Sequence, residues 1–340
     1  MPLLRPVSAL FLILSLPFAC QGGVAWPGAR AFGQTPAASP ASPALPAGGD
    51  RVRRNLYVSV VDKDTRFVEG LSAETFVVQD GKERAEVVSF AKADVPTSVG
   101  FLLDMSGSMF YQERKKIVVK ERADVIRNAV THFLEASHPA NDYFVISFNQ
   151  MHKELLDVTN DRAAVLAAVE SIAANPLKGR TALYDTCRLA LDKLARSTKA
   201  RRVLVIFTDG QDNASRADFD DLKRALKQSD VLVYPLAFFS PHYDSFLHEE
   251  AQRILDEFAQ ISGGIAYTTR DMKEIEPMFA HVAQGLRMQY ALEVGLAPSV
   301  RKDGWRELKV KLAEMRDKEG KTHKIFPRTR KGFYLPVAAR

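Results

Sequence analysis

The sequence predicts an α/β protein in which a doubly wound, mostly parallel sheet is inserted in a small β-sandwich built from N- and C-terminal strands. Three patterns predict it. Continuous apolar runs such as "RVLVIF" (202–207) suit strands buried on both faces, as parallel sheets demand. Amphipathic helical segments separate those runs, the rhythm of a βα-repeating sheet. Short strands of alternating polarity precede and follow this region, and each set is too small to cover its own apolar face.

In chain order, "MPLLRPVSALFLILSLPFACQGG" (1–23) has an early arginine and then an apolar run from Val7 to Phe18, shorter than the roughly 20 residues that cross a bilayer. It reads as an export signal, 1–31, with cleavage after the small-x-small triplet Ala29-Arg30-Ala31. The alternative is a lipoprotein signal, 1–19, leaving a lipid anchor on Cys20. Residues 32–52 are a Pro/Ala-rich linker without apolar periodicity. No later stretch is long and apolar enough to be a transmembrane segment.

Residues 53–95 form the first part of the sandwich: "NLYVSVVD" (55–62), "ETFVVQDG" (74–81) and "AEVVSFAK" (85–92), with Asp80-Gly81 marking a tight hairpin. The parallel-sheet domain, 96–288, has strands at 98–104, 143–149, 202–208, 231–239 and 264–269, and a polar edge strand near 152–158. Its helices fall at 113–136, 161–174, 182–197, 217–229, 247–261 and 271–287. Residues 289–337 supply the second part of the sandwich: "YALEVGLA" (290–297), "RELKVKLA" (306–313) and "KIFPRTRKGFYLP" (324–336).

Composition narrows the function. The net charge of +6 belongs to the C-terminal region, where residues 286–340 hold 14 Lys and Arg against 6 Asp and Glu. Alternation places those cations on strand faces that meet water, and the absence of aromatic-basic interleaving argues against nucleic acid. Of the 2 cysteines, Cys20 is lost or lipidated, and Cys187 sits on the apolar stripe of Leu183 and Leu191 as a buried thiol. No phosphate-binding or dinucleotide glycine fingerprint follows the first strand of the domain. "HEEAQ" (248–252) lacks the second His of a zinc peptidase at Gln252, and reads as an exposed helix start.

In an open parallel sheet, ligands bind beyond the carboxyl ends of the strands, near the point where strand order reverses. Three polar segments fall at that edge. "DMSGSM" (104–109) supplies Asp104, Ser106 and Ser108; "LKGRTALYD" (177–185) supplies Thr181; "FTDGQDN" (207–213) supplies Asp209. All five side chains offer oxygen, the shell hard divalent ions prefer, and Mg²⁺ in particular needs few carboxylates. Two acids and three neutral hydroxyls leave an ion undercompensated, so that a partner's acidic group could complete its shell. Gly107 is expected to permit a turn that a Cβ would obstruct, and the helix that follows to favour incoming negative charge.

These three segments, in this order and spacing, resemble the metal-ion-dependent adhesion site (MIDAS) of von Willebrand factor type A domains. The resemblance covers about 97–287, and the flanking strands extend it to 53–336 by their similarity to a bacterial exported subfamily of such domains. It implies a Rossmann-like sheet and a metal shell of Asp104, Ser106, Ser108, Thr181 and Asp209, the hydroxyls touching the ion directly and the aspartates partly through water. The implied cofactor is a divalent cation, Mg²⁺ first, with Mn²⁺ or Ca²⁺ as alternatives. The implied function is cation-dependent adhesion to a protein partner that supplies an Asp or Glu, without catalysis, in the periplasm, at the cell envelope or outside the cell.

Two departures from the family pattern stand out. Arg180 occupies the place of a second Gly before the Thr, and "FYQERKKIVVKERADV" (110–125) is longer and more basic than the usual lead into the first helix. Loops around 110–113, 149–152, 178–180 and 210–215 would set specificity. The competing readings are a metal-dependent hydrolase, which needs a base beside Ser106 or Ser108, and a structural envelope protein whose ion ties loops together.

Overall fold

The computed structural model describes residues 51–109, 116–174, 179–239, 245–297, 304–313, 315–316 and 322–335. The signal and nearly all of the linker lie outside them. Chain order runs β1 (Val52–Asp62), β2 (Phe76–Asp80), β3 (Glu83–Arg84), β4 (Glu86–Lys92), β5 (Thr97–Asp104), α1 (Lys116–Ala136), β6 (Asp142–Phe148), β7 (His152–Thr159) and α2 (Arg162–Glu170). There follow α3 (Leu183–Ala195), β8 (Arg201–Thr208), α4 (Phe219–Gln228), β9 (Val231–Phe238), α5 (Ser245–Ser262), β10 (Tyr267–Thr269) and α6 (Ile275–Arg287). The chain closes with β11 (Tyr290–Leu296), β12 (Trp305–Leu312), a two-strand ribbon of β13 (Met315–Arg316) and β14 (Thr322–His323), β15 (Ile325–Arg328) and β16 (Gly332–Tyr334).

A six-stranded sheet, ordered β10-β9-β8-β5-β6-β7, carries the α/β region. Its strands are parallel except β7, which runs antiparallel along β6. Every residue of β5 and of β9 is buried, because helices cover both faces and leave no side of the pleat to water. One core cluster joins α1, α2 and α6 to Phe101, Val145, Val205 and Leu236; the other joins α3, α4 and α5 to Leu102, Ile146, Leu204 and Val233. Since β5 lies between β6 and β8, the chain winds outward in both directions from it, and the strand order reverses at β5 and β8.

The end segments form two four-stranded sheets, β15-β1-β11-β4 and β16-β12-β2-β3, each combining strands from before and after the α/β region. Leu56, Val58, Phe76, Val78, Leu292, Val294, Val310 and Phe333 fill the core between them.

Local departures have physical causes. The Asp80-Gly81 turn is a hairpin, with Gly81 at φ 64, but β3 returns beside β2 for only two residues before β4 crosses to the opposite sheet. The segment 324–336 is two strands in different sheets, because the intervening Arg330 is buried against the α/β region. β10 is shorter than expected: Gly263 turns at φ 93, and at Gly264 a Cβ would stand 1.9 Å from the Val233 carbonyl oxygen, so the approach is irregular. His248 corrects the reading of "HEEAQ" as an exposed helix start, being buried and stacked on Phe239 at 4.6 Å between ring centroids.

A buried cation, Arg201, joins the two regions where the chain passes between them. The Arg201 guanidinium donates to the carbonyls of Ala93 (2.8 Å), Leu286 (2.6 Å) and Val95 (3.1 Å), to the Thr97 hydroxyl (2.7 Å) and to Gln289 Oε1 (3.2 Å). These acceptors belong to the two connections between sandwich and sheet. Among the described residues no helix is long and apolar enough to cross a membrane.

Candidate metal centre

β5 and β8 end side by side, in register to Leu103 and Phe207, and their next residues carry the chemistry. Asp104 closes β5 with no exposed surface, and the Ser106 N–H donates to its Oδ1 at 2.8 Å, an Asx turn that swings the chain off the strand. The Thr208 hydroxyl, at the end of β8, donates to Asp104 Oδ2 at 2.6 Å. Ser106 and Ser108 place their hydroxyl oxygens 3.1 Å apart. Ser108 in turn hydrogen-bonds the Asp209 carboxylate.

Thr181 comes alongside through the backbone. The Gly107 N–H donates to the Gly179 carbonyl at 3.2 Å, which ties the turn after β5 to the Thr181 loop. Gly179 carries φ 103 there, so the conformation that demands glycine lies before Arg180, and Arg180 itself is exposed. The Thr181 N–H donates to Asn213 Oδ1 at 2.8 Å, and its carbonyl accepts from the N–H groups of Asn213 and Ala214, both at 2.9 Å. Asp212 and Ser215 cap the start of α3 from the same loop: Asp212 Oδ2 accepts from the Tyr184 N–H at 2.8 Å and Ser215 Oγ from the Asp185 N–H at 3.0 Å. The loop after β8 thus fixes the loop before α3.

Four of the five predicted residues, Asp104, Ser106, Ser108 and Asp209, are joined directly by hydrogen bonds or by charge; Thr181, also buried, is fixed at the same edge by its main chain. Sequence reasoning missed Thr208, Asp212, Asn213 and Ser215. The signal for the last three was the Asp-Asn-Ser composition of a capping loop; Thr208 gave none, reading as one more strand residue.

Two expectations change. Gly107 is not required by sterics, since a Cβ there would meet only the Gly179 carbonyl oxygen, at an ordinary 3.6 Å. The expectation that a helix N-terminus adjoins Ser108 falls partly on residues 110–115, which lie outside the described residues.

The electrostatics are those of two buried acids facing each other. The Asp104 carboxyl is pushed up to about 7, first by burial and then by the charge of Asp209, against the pull of its bonds from Ser106 and Thr208. Asp209 is also raised, by burial, with the Ser108 bond opposing. Among the described residues neither acid pairs with a Lys or Arg, and no group of three or more His, Cys, Asp or Glu side chains could hold a metal. A cation here would therefore be held by two carboxylates and neutral hydroxyls. That oxygen set, with two neighbouring buried acids, fits a hard divalent ion.

Residues 99–211 match the von Willebrand factor type A domain family. Among solved structures, the chain is similar to the PilB minor pilin from Streptococcus sanguinis, at 13% identity over 57% of this chain and 62% of that one, with a TM-score of 0.44. It is similar to a conserved hypothetical protein, BatB, from Bacteroides thetaiotaomicron, at 19% identity over 55% and 99%, with a TM-score of 0.41. It is also similar to proximal thread matrix protein 1 from the mussel byssus, in a form with a zinc-occupied MIDAS motif, at 14% identity over 60% and 48%, with a TM-score of 0.46. The chain thus spans less than two thirds of the pilin and about half of the mussel protein. A search of curated proteins returned no match. The matched segment runs from β5 through the end of β8 and contains Asp104, Ser106, Ser108, Thr181 and Asp209.

Proposed function

We propose that the site formed by Asp104, Ser106, Ser108, Thr181 and Asp209 binds a divalent cation, Mg²⁺ by the chemistry of its donors, and that the protein is a cation-dependent binding module for another protein. The single observation behind this reading is the pairing of two buried carboxylates, without a Lys or Arg partner among the described residues, at the switch point of the sheet, with Ser108 at the half-exposed rim. When bound, the ion would supply a Lewis-acidic position open to a partner's Asp or Glu. The chain's own residues hold the acids in place: Thr208 and the Ser106 N–H orient Asp104, Ser108 orients Asp209, and the 212–215 loop fixes Thr181. The export signal read at 1–31, or the lipid-bearing alternative at Cys20, would place the module outside the cytoplasm. Rigid attachment through Arg201 supports a role for the sandwich as a pedestal for the site.

Hydrolysis is the weaker reading. Ser106 and Ser108 bond each other and an acid, and among the described residues no His hydrogen-bonds either hydroxyl. The test is affinity capture from an envelope extract of the source cells in Mg²⁺, in chelator, and with Asp104→Ala. The proposal expects partners that are retained in Mg²⁺ and released by chelator and by the substitution. A folded Asp104→Ala protein that keeps every partner would defeat it.

A further inference from the structure

The rim of the site carries two side chains that the cation shell does not use, Met151 and Arg180. Met151 lies in the turn between β6 and β7 and is 71% exposed, an unusual state for a long apolar side chain with no sheet or helix to join. That turn is rigid: the Met151 N–H donates to Asn149 Oδ1, and the Asn149 N–H to the Met151 carbonyl, both at 2.9 Å. It is also bolted to the Thr181 loop, because the Ala182 N–H donates to the Asn149 carbonyl at 2.7 Å. Gln150 leans on the same loop, its side-chain oxygen 3.0 Å from where a Cβ on Gly179 would stand. Met151 and Arg180 therefore flank one fixed junction, one hydrogen bond away from the turn that carries Ser106 and Ser108.

Arg180 is exposed and, among the described residues, makes neither an ion pair nor a side-chain hydrogen bond. An arginine is always charged and presents a planar fork that suits carboxylates. Exposed on the loop that carries the buried Thr181, Arg180 offers that charge to solvent at the edge of the site.

We infer that Met151 and Arg180 form a selectivity rim for the partner, an inference that rests on the cation-dependent binding proposed above. The fitting ligand is a protein segment that gives one carboxylate to the cation, lays an apolar side chain on Met151, and offers a second Asp or Glu to Arg180. Methionine adapts to varied apolar shapes, so the middle requirement is for a long apolar residue rather than one in particular.

The test uses a synthetic library of heptapeptides with a fixed central Asp and random flanks, selected on the full chain in Mg²⁺ and counter-selected in chelator. The rim predicts sequences enriched in both a long apolar residue and a second acid. Met151→Ser should abolish only the apolar enrichment and Arg180→Ser only the acidic one, each weakening the selected peptides about three- to tenfold with Mg²⁺ uptake unchanged by titration. Metal-dependent peptides without either enrichment, or enrichment that survives both substitutions, would overturn the rim while leaving the cation-dependent module intact. A native protein that takes up Mg²⁺ yet selects no metal-dependent peptide, or takes up none, would overturn both.

Discussion

The Thr208 hydroxyl donates to Asp104 Oδ2 at 2.6 Å, across 104 residues of chain, and so joins the ends of the two strands at which the sheet changes direction. This bond fixes one oxygen of Asp104 and leaves Oδ1 to the Ser106 N–H. Thr208→Val keeps the shape and removes the donor. Groups that orient a ligand without touching the ion typically change metal affinity 10- to 100-fold. We expect Mg²⁺ affinity, measured by calorimetric titration, to fall about tenfold with circular dichroism unchanged.

Asp212 holds the first turn of α3 from the opposite loop, through the Tyr184 N–H and the Ser215 hydroxyl, the latter at 2.6 Å. Asp212→Ala strips a capping acceptor from that helix start, which costs about 1–2 kcal/mol. Hydrogen exchange should quicken at Tyr184 and Thr181 before it quickens in β8. Uniform exchange across the domain would contradict the latch.

Arg201 satisfies five acceptors while wholly buried. Burial pulls its guanidinium below the usual range, and the nearby tyrosines and Asp94 only partly oppose this. Arg201→Met leaves three main-chain carbonyls without a donor, and should lower stability in urea unfolding by about 3–5 kcal/mol. Arg201→Lys should recover little, because an ammonium cannot span the same fork of acceptors.

His281, on α6, stacks on Phe67 at 4.7 Å and meets the edge of Tyr267 at 5.4 Å, with Nε2 buried and, among the described residues, without a hydrogen-bond partner. Burial holds its imidazole below the ordinary 6.5, with a bond to the Thr65 backbone opposing. A depressed folded value means that the unfolded chain binds the proton more readily. The contribution is full above about 6.5 and is lost as pH falls through the lower folded value. Thermal melts between pH 7.5 and 5 should show a decline that His281→Phe reduces. An equal decline in the variant would assign the slope to other groups.

The strands of the α/β sheet were legible because burial on both faces writes continuous apolar runs, as in Val203 to Phe207. The convergence of the candidate residues was legible in part, because parallel strands end at one edge of their sheet and bring the side chains that follow them together. What was not legible depends on partners distant in the chain. Arg201 falls just before the strand read at 202–208, and only the folded connections show why it is buried. Arg330 lies within one apparent strand, yet its bonds to Asp230 (2.8 Å) and to the Lys227 carbonyl (3.2 Å) split that strand between two sheets. His248 looked like a solvent-facing helix start until Phe239 came to lie against it. Gly107 was credited with a steric role that belongs to Gly179, because the left-handed turn falls in the other loop.

The most direct test is thermal unfolding of the native chain and of Asp104→Asn, each with and without Mg²⁺. Replacing one of two neighbouring buried acids relieves their repulsion, so the metal-free variant should melt higher than the metal-free native protein. Saturating Mg²⁺ should raise the native melting temperature by several degrees, about 3 kcal/mol at a hundred times Kd, and leave the variant unmoved. A native protein indifferent to Mg²⁺, or a variant stabilised by it as strongly as the native chain, would contradict a cation site built on Asp104 and Asp209.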